Sequence, residues 1–267
     1  MSDLNVKGLL PGEADDTSSK LASIFQTALS NNSSSEASSS IDSLYEAAAA
    51  SDKGAEDFLW TLWSLYIQVG KIVSADDPRQ DTLVQIVKEL AAKRDDEVTM
   101  WNQKTRVWTE LPMLAPCMRD AWNESPRYNE TKEDNETVTA WINVNAFAAR
   151  LLATHLVTWD NFALWALRSA LEREPQNDRE RDASLLIAHA WVAYAGKDLK
   201  DRVNSTRELD EEEKRMFKAG QLFEAGEPGL TQKRWDFWRQ RIETLSGAAD
   251  SDVKSKTDKT VETMKTL

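Results

Sequence analysis

Arg234 and Arg241, seven residues apart, flank Trp235 and Trp238 in the segment Arg234-Trp235-Asp236-Phe237-Trp238. A guanidinium is a planar fork that grips a carboxylate or phosphate and lies over indole faces. The pair therefore suits either a carboxylate- or phosphate-bearing ligand, or a structural cation–π or salt-bridge role with acids such as Asp120. Asn145 stands one helical turn after Trp141 on an apolar stripe. A buried amide must satisfy donors and acceptor alike, so Asn145 either meets a ligand or ties neighbouring helices together through backbone groups. His189 sits in Leu-Leu-Ile-Ala-His-Ala-Trp, where burial favours the neutral imidazole. It reads as a general base or ligand, or as a core histidine bonded to a polar neighbour; no acid or nucleophile partner stands near it in sequence.

Asp76-Asp77-Pro78-Arg79-Gln80-Asp81 has the spacing of an aspartate-rich motif that holds magnesium against a diphosphate, as in all-helical terpenoid synthases. No Asn-x-x-x-Ser/Thr-x-x-x-Glu element follows to complete such a cluster. The simpler reading makes Asp77 a helix N-cap with Pro78 at the first helical position. No Walker loop, Rossmann glycine fingerprint, Gly-x-Ser-x-Gly elbow, His-Glu-x-x-His or Cys-x-x-Cys occurs, so no metal ligands, cofactor site or catalytic residues are assigned.

The elements that must position these side chains are helices. Eleven tryptophans stand against nine glycines and seven prolines, too few obligatory turns for a many-stranded sandwich. A short helix is expected from Ser18 to Leu29 and another from Ile41 to Ala50, joined by a flexible Ser/Asn-rich connection over 31–40. From Glu56, Phe58, Leu62, Leu65, Val69 and Ile72 form one helical stripe beside Leu59, Trp63, Tyr66 and Val73, which marks a central helix. Residues 95–112 read as a structured loop pinned by Trp101 and Trp108, with a short helix after it from Met113 to Trp122. Beyond a polar linker, Trp141, Asn145, Ala148, Leu152 and His155 recur at helical spacing. Asp160 is expected to cap a helix running to Glu174, and the pattern restarts at Asp182 with Gly196 as its stop. Ser205 or Thr206 precedes an acidic first turn over Glu208 to Glu213. A last helix, Thr231 to Leu245, aligns Trp235, Trp238, Ile242 and Leu245. The tryptophans Trp60, Trp63, Trp141, Trp165, Trp191, Trp235 and Trp238 all fall on helix faces, where they fill a core or line an apolar pocket.

The expected fold is therefore all-α: a single multi-helix domain with a Trp-rich core and flexible termini. Residues 1–16 are expected to be a disordered N-terminus, 17–55 a helical appendage, 56–245 the main domain and 246–267 a disordered C-terminal tail. A net charge of −12 is the wrong sign for a polyphosphate backbone, so nucleic acid is not an expected partner. One cysteine, Cys117, forms no internal disulfide and fits a reducing compartment. No basic-then-apolar leader and no apolar run of about 18 residues is present, which argues against secretion or membrane spanning and for the cytoplasm or nucleus.

The segments Phe58-Leu59-Trp60, Leu111-Pro112 with Arg119-Asp120 and Trp122, Trp141-Ile142-Asn143-Val144-Asn145-Ala146-Phe147-Ala148-Ala149, and Arg234-Trp235-Asp236-Phe237-Trp238 with Arg241 resemble, in this order, a filamentous-fungal family. That family is catalogued as a domain of unknown function. The resemblance covers about residues 56–245 and implies a helical intracellular protein without an assigned activity. It supplies no catalytic residue. The candidate ligand-binding set is Arg119, Asp120, Trp141, Asn145, His189, Arg234, Trp235, Trp238 and Arg241. The leading functional expectation is a non-catalytic helical scaffold or adaptor with a protein partner. The alternative is a protein that binds an apolar small molecule, or a motif-free enzyme, with a Trp-lined pocket.

Overall fold

Apolar residues at helical spacing, with few glycines or prolines to interrupt them, make α-helix the default along most of the chain. The computed structural model describes residues 4–50, 54–93, 96–129, 131–205, 207–224 and 226–267. Its helices are α1 (Asp16–Asn31), α2 (Ser35–Ala49), α3 (Gly54–Ile72), α4 (Arg79–Ala91), α5 (Leu114–Trp122), α6 (Lys132–Leu152), α7 (Asp160–Leu171), α8 (Asp178–Val203), α9 (Glu211–Met216), α10 (Gln232–Ser246) and α11 (Ser251–Thr266). One antiparallel hairpin, β1 (Glu97–Met100) and β2 (Gln103–Arg106), interrupts them, so the fold is essentially all-α. Two compact units divide the chain between Ser125 and Pro126. The sequence reading carried one domain across that boundary; the division falls in the polar segment after Trp122, where no apolar stripe links the flanking helices.

In the first unit α3 is the hub, contacting α1, α2 and α5. Its Trp63 and Tyr66 join Trp108 and Tyr45 in edge-on aromatic pairs with ring centroids 5.3–6.3 Å apart. Each polar handle finds a partner. Trp63 Nε1 donates to the Pro112 carbonyl (2.9 Å), Trp108 Nε1 to Asp42 Oδ1 (2.8 Å), and Tyr66 OH to the Leu83 carbonyl (3.0 Å). The helices of the expected appendage thus complete this core: Phe25 and Tyr45, from α1 and α2, are almost fully buried. The Ser/Asn connection is shorter than expected. Only 32–34 lie outside helix, because α2 starts at Ser35 and the Ser34 and Ser38 hydroxyls both donate to Glu89. Val6 is fully buried and its amide donates to Gln26 Oε1 at 2.9 Å, so the N-terminal segment is ordered there.

The expected loop over 95–112 contains the hairpin. Its two-residue turn, Trp101-Asn102, has both residues at positive φ (49° and 62°). Trp108 is a core residue, but Trp101 is 64% exposed and pins nothing. At α4, Asp77 Oδ1 accepts the Arg79 amide at 2.9 Å, so Asp77 caps the helix although Pro78 occupies the residue before its first full turn.

In the second unit the 26-residue α8 is central and packs against α6, α7, α10 and α11. Gly196 lies inside α8 and does not stop it. A Cβ there would sit 3.2 Å from Leu267 Cδ1, so the missing side chain makes room for the C-terminal helix. The restart expected at Asp182 comes at Asp178, where Asn177 Oδ1 accepts the Glu180 amide (2.9 Å). Residues 251–266, expected to be a disordered tail, form α11. Its low apolar content hides a narrow stripe, Val253, Thr257, Thr260, Val261 and Met264, all buried. α9 starts later than the acidic run suggested, because Asp210 and Glu213 form a capping box. Thr206, the alternative start signal, lies outside the described residues, as do 1–3 of the expected terminus and 51–53 of the expected appendage.

Candidate functional site

Thr231 caps α10 by accepting the Arg234 amide at 3.2 Å, and this turn sends Arg234 inward until its side chain is fully buried. The guanidinium meets Glu172, also fully buried, 62 positions earlier in the chain. Nε donates to Glu172 Oε1 (2.6 Å) and Nη2 to Oε2 (3.0 Å). The remaining N–H groups reach the carbonyls of Phe217 (2.9 Å), Gly229 (3.0 Å) and Lys218 (3.2 Å). Glu172 also accepts Trp238 Nε1 (2.7 Å) and the Gly220 amide (2.6 Å). A Cβ at Gly220 would stand 2.7 Å from Glu172 Cβ, which explains the glycine. All five guanidinium donors and both carboxylate oxygens are engaged. This fork therefore fastens the 217–229 segment onto the helices and has no donor left for a ligand.

The other candidates from sequence do not converge on it. Asn145 is fully buried; Nδ2 donates to the Trp141 carbonyl and Oδ1 accepts Trp191 Nε1, each at 2.9 Å, which ties α6 to α8. His189 is half-buried with Nδ1 2.8 Å from Thr260 Oγ1, linking α8 to α11. The Thr260 hydroxyl also stands 2.9 Å from the Lys256 carbonyl. Trp235 donates to the Met264 carbonyl (3.2 Å), and the largely buried Arg241 pairs with the exposed Glu174. Arg119 and Asp120 are exposed on α5 of the first unit, so Glu172 and Glu174, not Asp120, are the acids of Arg234 and Arg241. The tryptophans divide: Trp63, Trp191, Trp235 and Trp238 are buried core, Trp141 and Trp165 are half-buried, and Trp60 is 42% exposed.

The diphosphate reading fails on geometry. Asp76 and Asp81 are exposed, Asp77 is held by the Arg79 guanidinium (2.6 Å), and no group of three or more His, Cys, Asp or Glu is placed to share a metal among the described residues.

Among the concave features of the described residues, one in each unit is notable. In the first, α1 and α2 leave a groove of about 710 Å³ walled by serines, with Ile24 and Leu44 among its lining. In the second, α7, the end of α8 and the start of α10 enclose a cleft of about 370 Å³. Leu164, Val203, Leu209, Phe217 and Leu230 line it with Asp160, Arg202, Arg207, Ser205 and Thr231. Asp160 does not cap α7 as expected. Its Oδ1 lies 2.6 Å from Arg202 Nε, an ion-pair distance without hydrogen-bond alignment. Burial pushes its carboxyl above the usual range, and the Arg202 charge opposes the shift. Sequence reasoning missed Glu172, Asp160 and Arg202 because distant helices bring each to its partner and no local spacing marks them.

No helix among the described residues is long and apolar enough to cross a membrane. No curated protein and no solved structure matches this chain. A family model does match, over residues 63–242, which include most of the core of both units and the Arg234–Glu172 fork. The chain belongs to the family described as Protein of unknown function (DUF3632).

Proposed function

We propose that this protein is a non-catalytic helical scaffold or adaptor that receives an amphipathic helix of a protein partner between α1 and α2. The α1–α2 groove carries this reading, because two of its five lining serines, Ser23 and Ser43, are less polar than they look. Ser23 Oγ donates to the Ser19 carbonyl (2.9 Å) and Ser43 Oγ to the Ser39 carbonyl (3.0 Å). Hydroxyls turned back on their own helices leave methylenes, Ile24 and Leu44 facing the groove. Small residues one turn apart on both walls permit the close approach that ridge-into-groove packing of a third helix needs. The one cation of the lining, Lys20, is paired with Asp16 at 2.5 Å, so the groove selects for an apolar stripe and not for charge. The engagement of Arg234, Glu172 and Asn145 in the core supports a non-catalytic role, and the net charge of −12 disfavours nucleic acid.

A photocrosslinking residue at Ser43 tests this directly in cells. The expected product is one discrete heterologous adduct that disappears in Ile24→Glu/Leu44→Glu protein with an unchanged circular dichroism spectrum. The same adducts from both proteins would overturn the reading, and an adduct of twice the chain mass would replace the adaptor with a self-associating protein.

A further inference from the structure

The cleft of the second unit has the composition of a small-ligand site: apolar walls, a few polar groups that converge, and a volume inside the range of about 300–1,000 Å³ typical of such sites. Its polar groups are unequally engaged. Arg202 comes within 2.6 Å of Asp160 at Nε; among the described residues its Nη1 and Nη2 donate no hydrogen bond to a protein acceptor, although only 38% of the side chain is exposed. The bidentate Nη edge, which best matches a carboxylate, is therefore open while Asp160 keeps the Nε side in place. Ser205 stands beside it with its oxygen accepting the Arg207 amide at 3.3 Å and its hydroxyl proton unassigned. Arg207 adds a second positive charge at the rim, shared with Glu213. The first turn of α10, which borders the cleft, carries no acidic residue, and the positive end of its dipole reinforces the same sign.

The acids set the charge of the ligand. Asp160 and Glu227 equal the two lining arginines in number and Glu213 pairs with Arg207, so the open edge of Arg202 offers a place for one negative charge and a second on the ligand would face repulsion. A body of hydrocarbon suits the walls formed by Leu164, Val203, Leu209 and Phe217. We infer that this cleft binds a small monocarboxylate with an apolar body, its carboxylate on the Nη edge of Arg202 and the Ser205 hydroxyl, and its body against those four side chains.

The Arg234–Glu172 fork acquires a purpose in this arrangement. Arg234 holds the carbonyls of Phe217 and Gly229, both in the wall, and the Gly229 amide donates to the Phe217 carbonyl at 3.1 Å. Gly229 has φ +95°, and a Cβ there would stand 2.8 Å from Leu209 Cδ1. The fork and this glycine are positioning elements that keep the wall open at its observed width.

Titration calorimetry on the full chain with octanoate and with 3-phenylpropionate, against octylamine and inorganic phosphate, tests the assignment. Saturable one-to-one binding of at least one carboxylate is expected, with octylamine and phosphate at least tenfold weaker. Arg202→Gln is expected to weaken the carboxylate at least tenfold and Arg202→Lys, which keeps the charge but not the fork, by less. Arg202 is partly exposed, so both variants are expected to melt as the parent does; should Arg202→Gln unfold, Ser205→Ala at the exposed end of the cleft replaces it, with a several-fold loss expected. Amide shifts on carboxylate addition are expected at Ser205, Gly229 and Leu230. No saturable binding of either carboxylate, equal binding of octylamine, affinity unchanged in the folded variants, or shifts confined to other segments would each overturn the proposal. None of these outcomes touches the α1–α2 groove.

Discussion

Arg234 and Arg241, with side chains 0% and 14% exposed on one helix, differ chiefly in the burial of the acids that face them. Arg234 is fully buried on Glu172, whereas the carboxylate facing Arg241, Glu174, is 67% exposed. Removing one member of a buried, fully bonded ion pair strands the other charge and typically costs about 3–5 kcal/mol, while an exposed pair contributes about 0–1 kcal/mol. Arg234→Met is therefore expected to lower the unfolding free energy of the second unit by about 3–5 kcal/mol, read by urea denaturation, and Arg241→Met by about 1 kcal/mol or less. Equal effects would contradict the partition drawn here. Backbone strain is also local. Leu111 and Met113 hold positive φ values of 49° and 71° around Pro112, whose carbonyl accepts the Trp63 indole, so a core tryptophan holds in place a turn that bulky residues seldom adopt.

At the scale of elements, caps and turns decide where helices and strands begin. The Asp15 carboxyl is held below its ordinary range by the Ser18 backbone amide and then its hydroxyl, and Asp77 by the Arg79 guanidinium. Both folded values lie below the unfolded ones. Their stabilisation is therefore complete above about pH 4 and is lost as pH falls through the lower folded values. Amide protection in the first turns of α1 and α4, corrected for intrinsic exchange, is expected to drop as pH falls below about 4, and a flat profile would refute the role of these caps. The hairpin turn shows the opposite economy. A type I′ geometry favours Asn or Gly at both positions, yet the first is Trp101, which is largely exposed. Trp101→Asn is expected to stabilise the hairpin by about 0.5–1 kcal/mol, seen as slower exchange of the Glu97–Arg106 amides. Slower exchange in the parent would mean that the indole does pack.

For the whole molecule, each unit has its own hub helix, α3 or α8, and its own aromatic core. The C-terminal helix belongs to the second of these. α11 packs on α8 and α10, takes the Trp235 indole through the Met264 carbonyl and His189 through Thr260, and fits against α8 where Gly196 lacks a side chain. Truncation after Ala249 is expected to uncover the buried Trp235 and to lower the melting temperature of the second unit by several degrees. Quenching of tryptophan fluorescence by iodide, together with a melting curve, would test this. A truncated chain that melts and quenches as the parent does would mark α11 as dispensable.

Helix class and the placing of most helices follow from the sequence alone, because the 3.6-residue spacing of large apolar side chains is a local signal, whereas which tryptophans of the helix faces are buried does not. The membership of a family without an assigned activity was legible too. Helix ends were less so: Gly196 reads as a stop, and only the packing of Leu267 shows why a glycine sits inside α8. α11 was hidden because five buried positions among many charged ones resemble a solvated tail until a partner surface is present. The sequence leaves the polar residues as a choice between ligand and structure, and their partners are set by helix packing. Glu172 reaches Arg234 across 62 positions, and Arg202 meets Asp160 from the far end of another helix. Local spacing carries no information about such pairs, since tertiary structure alone decides which charge is buried against which, and so which donors remain open to a ligand.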